Sequence, residues 1–168
     1  ERTALLFARL DRNPGLTIVY VSTRNAADAL AQRLRFAGLR AMAYHAGLPR
    51  DRRTEVLEQF LAEDLDVVTA TSAFGMGIDA PRVRLVVHWG MPPTPEAYYQ
   101  EAGRAGRDGQ PAECLLLNHR ADARIHYRQL DVTFPPRKVL EEIWAHPGDR
   151  RRHPAAILAS ADRLAREL

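Results

Sequence analysis

The stretch Leu16-Thr17-Ile18-Val19-Tyr20-Val21 indicates the fold class of this chain. Each of its residues is apolar, β-branched or aromatic, which is typical of a strand buried on both faces of a sheet. The turn sequence Asn13-Pro14-Gly15 precedes the stretch, and Ser22 or Thr23 can cap a helix that follows it. A buried strand that leads directly into a helix predicts an α/β domain.

The alternation of strands and helices continues along the chain. We predict strands at 16–21, 40–44, 66–71, 84–88 and 113–118, and a helix from about Pro95 to Ala105. Two earlier helices are predicted to bury apolar residues at helical spacing, namely Ala26, Ala29, Leu30, Leu34 and Ala37, closed by Gly38, and then Val56, Leu57, Phe60 and Leu61. The sequence therefore predicts an open parallel sheet of RecA-like size, flanked by helices.

In such a sheet, ligands bind beyond the carboxyl ends of the strands. The loops that follow Val21, Tyr44, Thr71 and Trp89 all leave carboxyl ends of predicted strands. We therefore expect the chemistry of this chain to lie in these loops.

The last part of the chain differs from the rest. Residues 121–168 form a predicted helical appendage to a domain of residues 1–120, with helices at 121–130, 137–145 and 154–168. After position 118 there are 10 basic and 7 acidic residues, against 14 of each before it, so the excess positive charge lies in the appendage. We interpret this appendage as a reduced platform domain or as the start of a winged-helix domain.

The composition excludes several classes of protein. The chain of 168 residues has one cysteine, Cys114, so neither an internal disulfide nor a four-cysteine zinc site can form within it. Cys114 is predicted to be an apolar filler buried in a strand. No run reaches the roughly 18 consecutive apolar residues of a membrane span, and Glu1-Arg2-Thr3 does not resemble a signal peptide. We expect a cytoplasmic protein, associated with the nucleoid if it is bacterial.

Arginine is strongly favoured over lysine, since Lys138 is the single lysine among 24 basic residues. Genome composition alone can produce this bias. In the run Tyr98 to Gly109, however, Arg104 and Arg107 are three residues apart, with small residues between them. Two guanidinium groups offered together suit a polyphosphate that develops negative charge, whereas the alternative is a surface turn with incidental arginines.

Four segments extend this observation into a family resemblance. Ile18 to Arg24 resembles helicase motif IV, and Tyr44-His45-Ala46-Gly47-Leu48 resembles the element after it. Ala70 to Pro81 resembles motif V, and Gln100 to Arg107 resembles motif VI. The chain is identified as a member of the RecQ-like group of superfamily 2 DNA helicases over residues 16–118. The DEAD-box RNA helicases share the layout but use different residues in motifs V and VI.

The resemblance implies the second of two RecA-like motor lobes. A phosphate-binding P-loop needs Gly-Lys-Ser/Thr after a strand, but the single lysine follows Arg137 in the appendage, and there is no Asp-Glu-x-His box. ATP and Mg²⁺ are therefore expected to be bound mainly by an N-terminal lobe of the same polypeptide. This chain alone should not hydrolyse ATP.

The resemblance also implies roles for residues of motif VI. Arg107 is the expected arginine finger on the γ-phosphate, Arg104 is a second phosphate or interface contact, and Gln100 orients both. In motif V, Asp79 is expected near the ribose, although it could instead cap the loop before Pro81. Gly75 and Gly77 are expected to let the backbone approach its partners, or to serve turn geometry.

Single-stranded DNA is expected to contact four residues at the same edge through its phosphates, namely Ser22, Arg24, His45 and Thr71. Ser22 could instead cap a helix, and His45 could instead satisfy a turn. His45 has no second ligand at metal-binding spacing. The cysteines that bind zinc in many RecQ proteins are absent, so we expect no zinc in this chain.

The resemblance implies an ATP-dependent enzyme that unwinds duplex DNA in the 3′ to 5′ direction, in DNA repair and recombination. The alternatives are a non-catalytic nucleic-acid-binding module and the lobe of an RNA helicase.

Overall fold

The computed structural model describes residues 2–13, 15–75, 78, 80–119, 137–139 and 141. By its internal contacts the chain divides into a unit of residues 1–123 and a unit of residues 124–168. The predicted boundary after residue 120 and the nature of the appendage stay predictions. Within the described residues of the appendage, 137–139 and 141 are helical, and Arg137 pairs with Glu141 at 2.7 Å.

The first unit alternates helices and strands in the order predicted, with one helix added at its start. The elements are α1 (Arg2–Leu10), β1 (Leu16–Tyr20), α2 (Arg24–Phe36), β2 (Ala41–Tyr44), α3 (Arg50–Leu61), β3 (Val67–Ala70), β4 (Val83–His88), α4 (Pro95–Ala102) and β5 (Glu113–Leu116).

The five strands form one parallel sheet in the order β2-β3-β1-β4-β5. The central strand β1 pairs with β3 on one side and β4 on the other, so that Thr17 lies opposite both Val67 and Leu85. The predicted open parallel α/β sheet is therefore confirmed. Because all strands run in the same direction, their carboxyl ends lie along one edge.

Alternate residues of β1 are buried on opposite faces of the sheet, as pleating requires. Ile18 and Tyr20 pack in one cluster with Phe60 of α3 and with Phe74. Val19 and Val21 pack in the other cluster with residues of α1 and α2, namely Leu6, Leu10, Ala27, Leu30 and Leu34. Helices on both faces explain why the strand has a continuous apolar sequence.

The helix α1 was not predicted, although its buried residues Leu6 and Leu10 are four apart, as on one face of a helix. Leu6 is fully buried against the sheet, whereas Leu5 is 53% exposed. The buried face of α1 packs in the same cluster as Val19 and Val21.

Four residues that were predicted to be buried are exposed. Cys114 is exposed, because β5 is an edge strand and most of its residues face outward. Ala29 and Ala37 of the α2 region are exposed, since the inner face of α2 instead presents Ala27 and Ala31. Leu61 at the end of α3 is 45% exposed. Among the described residues, no helix is long and apolar enough to span a membrane.

Candidate functional site

The loops that leave β1, β2, β3 and β4 lie together at the carboxyl edge of the sheet. Backbone hydrogen bonds continue between neighbouring segments just beyond the strands, from Val21 N to Ala70 O at 2.8 Å and from Trp89 N to Tyr20 O at 2.8 Å. Thr71 N likewise donates to Tyr44 O at 3.2 Å. These contacts hold the ends of β1, β2, β3 and β4, and with them the predicted motif IV and V segments, at one edge.

Helix α4 leads into motif VI. The Thr94 side chain accepts a hydrogen bond from Ala97 N at 3.1 Å, and Pro95 occupies the first turn, where its missing N–H costs nothing. The helix ends at Ala102, three residues before the predicted end. Arg104 and Arg107 therefore lie in the turns after the helix and not on its surface.

The turns after α4 are anchored to the start of β4. Gly106 has φ +63°, and its N–H donates to Val83 O at 2.9 Å. Asp108 forms an ion pair with Arg84, and this guanidinium lowers the pKa of the Asp108 carboxyl. The backbone on both sides of Arg107 is therefore held to the sheet.

Arg104 is half-buried and lies across the ends of two strands. A Cβ added to Gly75 would lie 2.8 Å from Nη2 of Arg104, so the guanidinium packs directly on the motif V backbone. The Tyr20 hydroxyl donates to Phe74 O at 2.8 Å, and the Arg104 guanidinium lies near this hydroxyl. Burial raises the pKa of Tyr20, and the charge of Arg104 opposes that shift. Motif VI and the motif V backbone at Gly75 are thus in contact within this lobe.

Arg107 is exposed, and its Nη1 donates to Ile78 O at 3.2 Å. This bond directs the side chain toward the motif V loop. Gln100 is exposed on α4. The predicted sites Gly77 and Asp79 lie outside the described residues, so their roles stay predictions.

The predicted nucleic-acid residues occupy two environments. Ser22 and Arg24 are exposed and Thr71 is half-buried, at the ends of β1 and β3. The cap of α2 is Thr23, whose side chain accepts from Ala26 N at 3.1 Å, so the alternative role of Ser22 as that cap is wrong.

His45 is 5% exposed, and its Nε2 lies 3.2 Å from both carboxylate oxygens of Asp28. This geometry favours the alternative in which His45 fixes the turn after β2. A Cβ added to Gly47 would lie 3.1 Å from Nη1 of Arg24, so the same turn supports the Arg24 guanidinium. Direct contacts of His45 and Arg24 with DNA stay predictions.

Two residues of the site were not predicted from the sequence. His88, at the end of β4, is 1% exposed, and its Nε2 lies 3.0 Å from Oε2 of Glu101 on α4. The His88 ring stacks on Tyr20 with centroids 5.6 Å apart and lies 4.9 Å from the Tyr98 ring. A histidine that ends a buried strand was the available signal, since histidine is unusual in such a position.

Residues 2–109 match the family of helicase conserved C-terminal domains. The chain belongs to this family. ATP-dependent DNA helicase Q5 of Rattus norvegicus is 41% identical over 145 residues, which cover 86% of this chain and 14% of that protein. ATP-dependent DNA helicase RecQ of Bacillus subtilis (strain 168) is 54% identical over 100 residues, which cover 60% and 17%.

Among solved structures, helicase Lhr of Mycobacterium smegmatis, bound to single-stranded DNA and AMP-PNP, is 27% identical with a TM-score of 0.61. The match covers 71% of this chain and 17% of that one. These likenesses confirm the predicted RecQ-like second lobe. The chain spans less than a fifth of the length of the two RecQ-type relatives.

Proposed function

We propose that this lobe completes the ATP site of an ATP-dependent DNA helicase and holds single-stranded DNA during unwinding in the 3′ to 5′ direction. The observation that supports this function best is the pair Arg104 and Arg107, which lie on turns anchored to the start of β4 and contact the motif V loop at Gly75 and Ile78. Two guanidinium groups can stabilise the charge that develops on a phosphoryl group during its transfer.

The two lobes together form the site that binds and hydrolyses ATP. The partner lobe of the same polypeptide binds most of the nucleotide together with Mg²⁺, and this lobe supplies the arginines when the lobes close. Among the described residues, no group of three His, Cys, Asp or Glu side chains could hold a metal ion. We therefore assign this lobe no step in which it binds the magnesium ion.

DNA is bound at the same edge by residues of the loops after β1 and β3, mainly through its phosphates. The exposed Ser22 and Arg24 and the half-buried Thr71 are the proposed contacts. The names of helicase Q5 and RecQ as ATP-dependent DNA helicases support DNA over RNA as the nucleic acid.

The test is Arg107→Ala in the intact helicase. The finger acts mainly as negative charge develops in the transition state, so turnover should fall while nucleotide affinity stays within several-fold. Loss of such a contact lowers the DNA-stimulated ATPase rate roughly a hundredfold or more and abolishes unwinding. Arg107→Lys should also fail, because an ammonium group cannot span two phosphate oxygens as a guanidinium does.

The matched control is Arg33→Ala, which removes an exposed arginine of α2 outside the site. It should keep the parental rate. If Arg107→Ala hydrolyses ATP near the parental rate, Arg107 is not the finger. Strand-separation assays on DNA and RNA duplexes then decide which nucleic acid the intact protein unwinds.

A further inference from the structure

Helix α4 is attached to the sheet differently from the other helices of the first unit. The helices α1, α2 and α3 each bury at least two apolar side chains, whereas α4 has no buried residue. Apolar packing therefore does little to fix the rotation of α4 about its axis or its position on the sheet. Yet this helix leads directly into the turn that presents Arg104 and Arg107.

A polar contact provides the missing constraint. Glu101 projects inward from the last turn of α4, and its side chain is 13% exposed. Its Oε2 meets Nε2 of His88, which is held at the end of β4 between Tyr20 and Tyr98. A hydrogen bond is directional, so this one sets the orientation of α4 in a way that nonspecific apolar contact cannot.

The hydrogen bond also defines the tautomer of His88. Nε2 must hold a proton in order to donate to the carboxylate, while Nδ1 is buried with no hydrogen-bond partner among the described residues. A buried N–H without a partner costs more than a buried lone pair. The geometry therefore places a proton on Nε2.

The same contact continues to motif VI. Tyr20 stacks on the His88 ring, and its hydroxyl lies near Arg104, which is three residues after Glu101. The backbone that follows Glu101 therefore carries Arg104 to a position beside Tyr20. Gly75 packs against the guanidinium of Arg104.

We propose that His88 and Glu101 are positioning residues that hold α4 so that Arg104 and Arg107 meet the nucleotide in the correct place. This inference rests on the proposed role of the two arginines. Misplacement of a catalytic group by about 1 Å can cost on the order of a hundredfold in rate. His88 and Glu101 themselves do not need to touch the nucleotide.

The test uses the intact helicase, with rates normalised to the fraction of protein that binds single-stranded DNA. His88→Leu should lower kcat for ATP hydrolysis by at least about tenfold while KM for ATP changes less than about threefold. His88→Gln should restore most of the rate, because its amide nitrogen lies as many bonds from Cα as Nε2 and can donate to Glu101. Parental kcat in His88→Leu would overturn the proposal, as would equal loss in both variants.

A double variant separates positioning from folding. His88→Leu leaves a buried carboxylate without its partner, so that variant can unfold. Combining it with Glu101→Leu removes both polar groups, which is often nearly neutral for stability. The double variant should remain folded and slow, and parental kcat in it would contradict the proposal.

Arg107→Ala in the same assay distinguishes the proposed function from the proposed positioning role. If Arg107→Ala abolishes turnover but the histidine variants do not, the finger is correct and the positioning role is wrong. If Arg107→Ala has no effect, the proposed function itself fails.

Discussion

Arg104 lies half-buried against Gly75 and Tyr20, whereas Arg107, three residues later in the same turns, is exposed. The lobe therefore locates Arg104 internally through motif V. The Arg107 backbone is anchored by the neighbouring Gly106 and Asp108, while its guanidinium donates to Ile78 O and the residue stays exposed. Exposure is what a finger that crosses a lobe interface requires, since it must reach a group held by the other lobe.

Gly75→Ala in the intact helicase tests the contact with Arg104. The added Cβ would lie 2.8 Å from Nη2, which is closer than real Cβ contacts, so the flexible guanidinium must move while the backbone can stay. We expect kcat for ATP hydrolysis to fall roughly tenfold and the melting temperature to change little.

Gly38→Ala is the matched control. Gly38 has φ +88°, and nothing lies within 4 Å of its added Cβ, so only backbone strain results. This variant should lose on the order of 1 kcal/mol of stability, with kcat unchanged. An unchanged kcat in Gly75→Ala would show that Arg104 needs no such placement.

At the scale of elements, the entries of β2 and β3 are joined by one ion pair. Asp66, just before β3, accepts from Arg40 N at 2.8 Å and bonds to the Arg40 side chain just before β2. The pKa of the Asp66 carboxyl is lowered, first by the hydrogen bond from the Arg40 side chain. The folded state thus favours the ionised carboxylate.

Asp66→Asn should lower the melting temperature of this chain at pH 7. Because the pKa of Asp66 is lower in the folded state, the contact with Arg40 stabilises the fold fully at pH values above the ordinary carboxyl pKa of about 3.9. This stabilisation is lost as the pH falls through the pKa of the folded state. The difference in melting temperature between parent and variant should therefore shrink below about pH 4. A difference that stays constant down to acid pH would contradict this, and Asp11→Asn, at an exposed position, is the control.

The elements that the sequence predicts well are those with a local cause. β1 was predicted because burial on both faces requires an apolar residue at each position, and its N- and C-terminal neighbours are turn and cap residues. Cys114 was wrongly predicted to be buried, because its burial depends on which element covers the edge strand β5. Local sequence contains no information on that choice.

The candidate site shows the same division. Arg104, Arg107 and Gly75 were found because their spacing matches family motifs, and the structure brings Arg104 and Gly75 into contact. The pair His88 and Glu101 was missed, since it joins a strand end to a helix through a contact across the fold. Such a pair becomes visible only when α4 is seen to lack a buried residue of its own.

At the scale of the whole molecule, the carboxyl ends of the parallel strands bring motifs IV and V together, while both faces of the sheet are covered by helices. Motif VI contacts motif V through Arg104 and Arg107. Under the proposed function, nucleotide and DNA bind at neighbouring parts of this surface, which allows lobe closure around ATP to alter the contacts with DNA.

Phosphate contacts at this edge predict binding to single-stranded DNA that weakens as salt rises and shows little sequence preference. Arg24 is exposed at the start of α2, and the turn at Gly47 supports its guanidinium. If Arg24 contacts one phosphate, Arg24→Ala should reduce the slope of log affinity against log salt by about 0.7. It should also weaken binding to different sequences by the same factor.

Binding of fluorescent oligonucleotides to the intact helicase across a salt series measures both the slope and the affinity for each sequence. Arg33→Ala, later on the same helix, removes an equal charge away from the edge and should leave the slope unchanged. Equal slopes in Arg24→Ala and the parent would show that Arg24 makes no phosphate contact, and binding independent of salt would exclude the phosphate-dominated mode altogether.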